Sequence, residues 1–138
     1  MMDARLRSFI GKTKVVVARE ELALVHVKGE FAGSLYSRLK PFAVVTKGRM
    51  STLVCNVKDL SMVKVRRKVS KPYSLIVFDA TLPFDLTGYL AALTAVLAEA
   101  RIPILAFSDF YRDYLLVRKR HARKAAAVLR RFIRSCRR

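Results

Sequence analysis

A chain of 138 residues that is 53% hydrophobic can bury the core of one compact domain or of two small ones, which excludes a disordered protein. Its 28 Lys and Arg against 10 Asp and Glu, a formal net charge of +18, attract polyanions and speak of association rather than of fold. The longest apolar stretch, Tyr89 to Ala98, is too short to span a bilayer, and MMDARLRSFIGKTK lacks the apolar centre of a secretion signal, so no membrane and a cytoplasmic setting are expected.

In chain order, residues 1–12 alternate basic and apolar and read either as an ordered lead-in or as a frayed end. GKT at Gly11 to Thr13 is not a phosphate loop, because Leu6 stands where that loop needs a glycine. Lys14 to Ala18 and Leu22 to Val27 read as two strands of a hairpin with Glu20 and Glu21 as its turn. Gly29 breaks that pattern, Phe31, Leu35 and Leu39 repeat at helical spacing, and Pro41 closes the helix. Phe42 to Val45 and Leu53 to Asn56 are strands about a Lys47, Gly48 turn, and Val57 to Val63 is a short helix or a loop. Tyr73 to Phe78 is a strand that enters the turn cluster Pro83, Asp85, Thr87, Gly88. From Tyr89 to Ala100 good helix formers run unbroken, with Leu86, Leu90, Leu93, Leu97 and Ala100 on one apolar face. Pro103 forbids continuation, and the strands Ile104 to Phe107 and Tyr114 to Val117 flank the turn Ser108 to Arg112. Lys119 to Ile133 is helical, with Ala122, Ala125, Leu129 and Phe132 facing inward.

The second half thus reads β-α-β-β-α, and the first half repeats it: PFAVVTKGRMSTLVCNVKD from Pro41 aligns without a gap on the stretch beginning at Pro103. The expected fold is α+β, two ferredoxin-like β-α-β-β-α modules at 1–70 and 71–138, each an antiparallel sheet with helices on one face. After Ile133 no segment remains for a final strand. Either Val63 to Val69 or Lys14 to Ala18 supplies it, or the sheet edge stays open and completes itself in a homodimer.

The pieces FDLTGYLAALTAVLAEARIPILAFS and DYLLV resemble the second half of tandem ACT-domain proteins, small amino-acid-sensing modules whose animal relatives include the cytosolic arginine sensors. The resemblance is specific over about residues 73 to 125 and weak before residue 40. It implies ACT-type modules and a ligand at an interface between modules, beside the first strand-to-helix loop.

Little chemistry competes with a binding role. His26 and His121 stand alone with no Cys, Asp or Glu at ligand spacing, so no metal and no cofactor are expected. No nucleophile elbow or thiol context supports an enzyme; Cys55 and Cys136 suit a reducing compartment, and Ser34, Ser51 and Ser108 read as turn and strand residues. The helix start at Phe84, Asp85, Leu86, Thr87 and Gly88 offers unpaired N–H groups to a carboxylate, or else carries only an N-cap. Ser108 and Asp109 close the neighbouring strand, where Asp109 can face an ammonium group. The leading expectation is a non-enzymatic regulatory protein that senses a small amino acid at Phe84 to Gly88, Ser108 and Asp109 and passes its state to a partner protein. The alternative is a nucleic-acid-associated protein using Arg130, Arg134 and Arg137 of a C-terminal segment with ten basic residues and no acid. A third reading is an assembly subunit that pairs through its sheet edges.

Overall fold

The structure is a computed structural model that describes residues 2–64 and 68–137, with the side chains of 30–32, 34 and 35 left aside. The elements in order are α1 (Ala4–Lys12), β1 (Lys14–Lys28), α2 (Gly29–Leu39), β2 (Ala43–Lys47), β3 (Met50–Asn56), β4 (Lys68–Val69), β5 (Tyr73–Asp79), α3 (Tyr89–Glu99), β6 (Ile104–Ser108), β7 (Asp113–Arg118) and α4 (Ala122–Ser135). Short 3-10 turns at Val57–Met62 and Lys119–His121 join β3 to β4 and β7 to α4. The fold is α+β, two ferredoxin-like modules of the ACT type with antiparallel pairing and helices.

Two compact units partition the chain: residues 1–19 with 74–138, and residues 20–73. In the second of these β3 pairs antiparallel with β1, from Leu22↔Asn56 to Lys28↔Met50, and β2 pairs with β3 from Ala43↔Val54 to Lys47↔Met50. The two-residue loop Gly48–Arg49 has Gly48 at φ +61°, the glycine-first geometry that matches the twist of a hairpin. β4 joins β1 at Val25↔Val69, so this unit has its fourth strand. Val25, Val27, Leu39, Leu53, Cys55 and Val63 form its core, and burial pushes the Cys55 thiol above its ordinary value, with Asp59 adding to the effect. A buried thiol held protonated is a packing residue. The helical positions Phe31 and Leu35, Ser34, and residues 65–67 of the proposed final strand lie outside what is described.

The other unit has strand order β1-β5-β7-β6, with β6 and β7 antiparallel from Ile104↔Val117 to Ser108↔Asp113. Its missing strand is β1, which answers the question left by the sequence: the first residues of β1, not a second chain, lie beside β5. The expected hairpin at Glu20 and Glu21 is corrected with it. β1 runs fifteen residues without interruption, because that pair carries none of the Gly, Asn or Pro that would set a turn, and an extended strand leaves both acids at the surface or half-buried.

Within residues 1–12, Ala4–Lys12 proves to be an ordered helix. Asp3 caps it, Oδ1 accepting from Leu6 N–H at 2.7 Å, and its buried stripe Leu6, Ile10 packs with Tyr89, Leu93 and Leu97 of α3 and Ala125, Leu129 and Ile133 of α4. On α3, Tyr89, Leu93 and Leu97 take the innermost line, while Leu90 on the helix and Leu86 and Ala100 at its flanks are only partly buried. The GKT residues are structural. A Cβ on Gly11 would meet the Cys136 carbonyl oxygen at 3.3 Å, so glycine lets α1 approach the end of α4.

Thr13 Oγ1 donates to the Phe9 carbonyl at 2.9 Å and lies 2.6 Å from Tyr89 Oη, which leaves Tyr89 as the donor of that bond. Burial holds the Tyr89 phenol well above its ordinary value, at about 12. A raised phenol contributes stability that is whole below the unfolded value near 10 and is lost as the pH climbs toward 12. Tyr89→Phe should therefore lower stability by about 1 kcal/mol at neutral pH. It should also flatten the alkaline limb of the pH profile; urea titrations between neutral and strongly alkaline pH check both, and equal alkaline limbs would contradict the assignment.

Candidate functional site

The loop from β5 to α3 and the turn from β6 to β7 meet at one end of the larger unit, joined by the Leu82 N–H donating to the Tyr111 carbonyl at 2.9 Å. Between them opens a groove of about 420 Å³ lined by residues 82–91 in part and 108–113 throughout. Five of the seven sequence-expected residues meet there: Phe84, Leu86, Gly88, Ser108 and Asp109. Asp85 and Thr87 do not line it. Asp85 pairs with Arg5 of α1, Oδ1 to Nη2 at 2.9 Å, and that hydrogen bond holds its carboxyl below the usual range; Thr87 is exposed.

Neither of those side chains caps α3. Gly88 occupies the N-cap position in the left-handed region, φ +91°, with no side-chain cap bond, and the first intrahelical bond runs from Ala92 N–H to the Gly88 carbonyl at 3.0 Å. Gly88, Tyr89, Leu90 and Ala91 at the start of α3 line the groove, and no side chain caps that turn, where the positive end of the helix dipole lies.

Asp109 organises the opposite wall. Its Oδ1 accepts from the N–H groups of Tyr111 and Arg112 at 2.8 and 2.9 Å, and its Oδ2 accepts from Tyr114 Oη at 2.5 Å. The Tyr114 bond, then the Tyr111 N–H, hold this carboxyl below its ordinary value; burial, then the bond to Asp109, push the Tyr114 phenol up. Stability of the turn is thus present above the unfolded carboxylate value and lost as acid protonates Asp109. Next to it Ser108 Oγ donates to Asp113 Oδ1 at 2.5 Å.

Sequence reasoning missed Arg112 as a site residue. Its Nη1 reaches Asp79 at a long 3.4 Å, and its Nε is buried with no acceptor among the described residues, although the side chain lines the groove. A buried donor of this kind is one that an oxygen acceptor could satisfy. Phe84, Phe110 and Tyr111 form the rim, with ring centroids 4.9 and 5.1 Å apart, and Phe84 is 79% exposed.

The alternative residues lie elsewhere in this unit. Arg130, Arg134 and Arg137 line a second cavity with Lys14, where Arg130 Nη2 donates to the Val15 carbonyl at 3.0 Å and Arg137 Nε to the Gly11 carbonyl at 2.7 Å. Among the described residues no group of His, Cys, Asp and Glu could hold a metal ion, and no helix is long and apolar enough to cross a membrane.

Residues 68–131 match the family model described as ACT domain, a stretch that runs from β4 into α4. Among solved structures, a Vibrio cholerae protein of unknown function is 24% identical, with 94% of this chain and 96% of that one covered at a TM-score of 0.80. An Agobacterium tumefaciens protein is 21% identical over 87% of this chain and 88% of its own, at a TM-score of 0.70. The regulatory subunit of aspartate kinase from Thermus flavus is 7% identical, covering 87% and 97%, at a TM-score of 0.66. These likenesses establish the fold. No protein of curated function matches the sequence significantly.

Proposed function

We propose that this is a non-enzymatic regulatory protein that binds a small amino acid in the groove between Gly88 and the Asp109 turn. The observation that carries the reading is the pairing, in one groove, of an uncapped helix start with an arginine whose buried Nε has no acceptor among the described residues. The carboxylate of the ligand accepts from the opening N–H groups of α3 and from Arg112, as helix starts and guanidinium groups both favour anions. Its ammonium group lies toward Asp109, with Asp113 beside it, and its side chain lies against Phe84 and Leu86. The regulatory subunit of aspartate kinase among the structural likenesses supports a regulatory rather than a catalytic role.

The groove is open, and its aromatic rim is exposed in a single chain. We assign its cover to the ACT-like module of a second copy, which makes the working form a homodimer that transmits ligand state to a partner protein in the cytoplasm. On this reading 1–70 and 71–138 are two copies of one ancestral module, as in tandem ACT-domain proteins.

A thermal-shift screen of the free amino acids tests the function, since a ligand that binds only the folded state raises the melting temperature. At least one amino acid should raise it in a concentration-dependent way; no shift with any of them would remove the proposal.

A further inference from the structure

The cavity between the start of β1 and the last turns of α4 is the strongest unassigned feature of the molecule. It measures about 370 Å³, and Lys14, Arg130, Arg134 and Arg137 surround it without an acidic side chain in the lining. Nor does α4 itself carry an acid. Four cations converging on one concavity repel one another, and among the described residues nothing anionic offsets them there.

Two of the four are held in place. The Val15 and Gly11 carbonyls each occupy one N–H of Arg130 and Arg137, and a guanidinium has five. Lys14 and Arg134 make no side-chain hydrogen bond or ion pair among the described residues, and both are exposed. The floor is buried Thr13 and the wall is Val15, Val16 and Ile133. The end of α4 explains part of this arrangement, because a helix C-terminus carries roughly half a negative charge and favours nearby cations. Half a charge does not balance four.

We infer that this cleft is a binding site for a compact polyanion of the linear polyphosphate type, gripped by Arg130 and Arg137 as fixed donors and by Lys14 and Arg134 as mobile ones. Planar guanidinium groups match phosphate oxygens in pairs, and a lysine adds a point charge. A concave cleft of this size suits a short multiply charged molecule better than the extended track a nucleic acid needs. The site is separate from the amino-acid groove, so its fate does not depend on that proposal.

Tripolyphosphate is the probe, titrated calorimetrically into the full chain at about 0.1 M salt, where diffuse attraction is screened beyond roughly 10 Å. One site per chain is expected. K14Q/R134Q, which leaves both backbone-anchoring arginines intact, should bind roughly tenfold more weakly or worse with an unchanged melting temperature. Absence of binding, or equal affinity in the double variant, overturns the inference, the latter meaning that the net charge alone attracts the probe. A short single-stranded DNA forms the second arm: weaker binding than tripolyphosphate supports the compact ligand, while tighter binding, lost to the same degree in K14Q/R134Q, overturns it in favour of a polymer backbone.

Discussion

A chain that begins at Glu20 is expected to lose the fold of its C-terminal unit, although the whole stretch matching the ACT domain, residues 68–131, is retained. The deletion removes α1 and the part of β1 that lies beside β5, and with them Leu6, Ile10 and Val15, which are 8%, 0% and 8% exposed. Full burial of such side chains stabilises by roughly 1.5–3 kcal/mol each. Three of them approach the net stability of a typical domain, roughly 5–15 kcal/mol. The loss goes further, since β5 would become an open edge and the Tyr89 hydroxyl would lose Thr13. Circular dichroism should show reduced helix content and no cooperative melt for α3 and α4; a melting temperature equal to that of the intact chain would show that the unit completes its sheet in another way.

Gly88→Val should cost the next largest amount. The residue sits at φ +91°, where a side chain is strained by about 1–3 kcal/mol. An added Cβ would also stand 3.1 Å from Leu6 Cδ2, and forcing apolar volume into packed surroundings costs about 1–3 kcal/mol more. Loss of amino-acid binding in this variant would therefore mix blocked approach with a weakened fold, which makes Gly88 a poor probe of the groove. Urea denaturation should place Gly88→Ala between wild type and Gly88→Val. A variant as stable as wild type would mean that the loop relaxes to negative φ.

Much of the larger unit was legible because its punctuation is local. Pro103 lies just past the end of α3, Gly88 starts it, and the turn Ser108 to Arg112 separates two short apolar runs, so β5 through α4 could be placed from sequence. β1 was not legible in the same way. Glu20 and Glu21 break the apolar alternation as a turn does, and the partners of β1, which are β3, β4 and β5, are chosen by surfaces distant in the chain that periodicity does not report. The groove divides similarly. Gly88, Ser108 and Asp109 announce turns through their residue types, whereas Asp85 is drawn aside by Arg5, and the buried Nε of Arg112 exists only once the turn has closed over it.

Arg112 also supplies the most direct measurement. Among the described residues its side chain makes one long polar contact, to Asp79, so Arg112→Gln should leave the melting temperature close to wild type while removing the guanidinium proposed to hold the ligand carboxylate. Asp109→Asn keeps an acceptor for the Tyr111 and Arg112 N–H groups but removes the charge facing the ammonium group. Calorimetric titration of the amino acid that most raises the melting temperature should give binding to wild type and a loss of roughly tenfold or more in each variant, the worth of one charge-assisted hydrogen bond. Unchanged affinity in both variants would contradict the placement of the site in this groove.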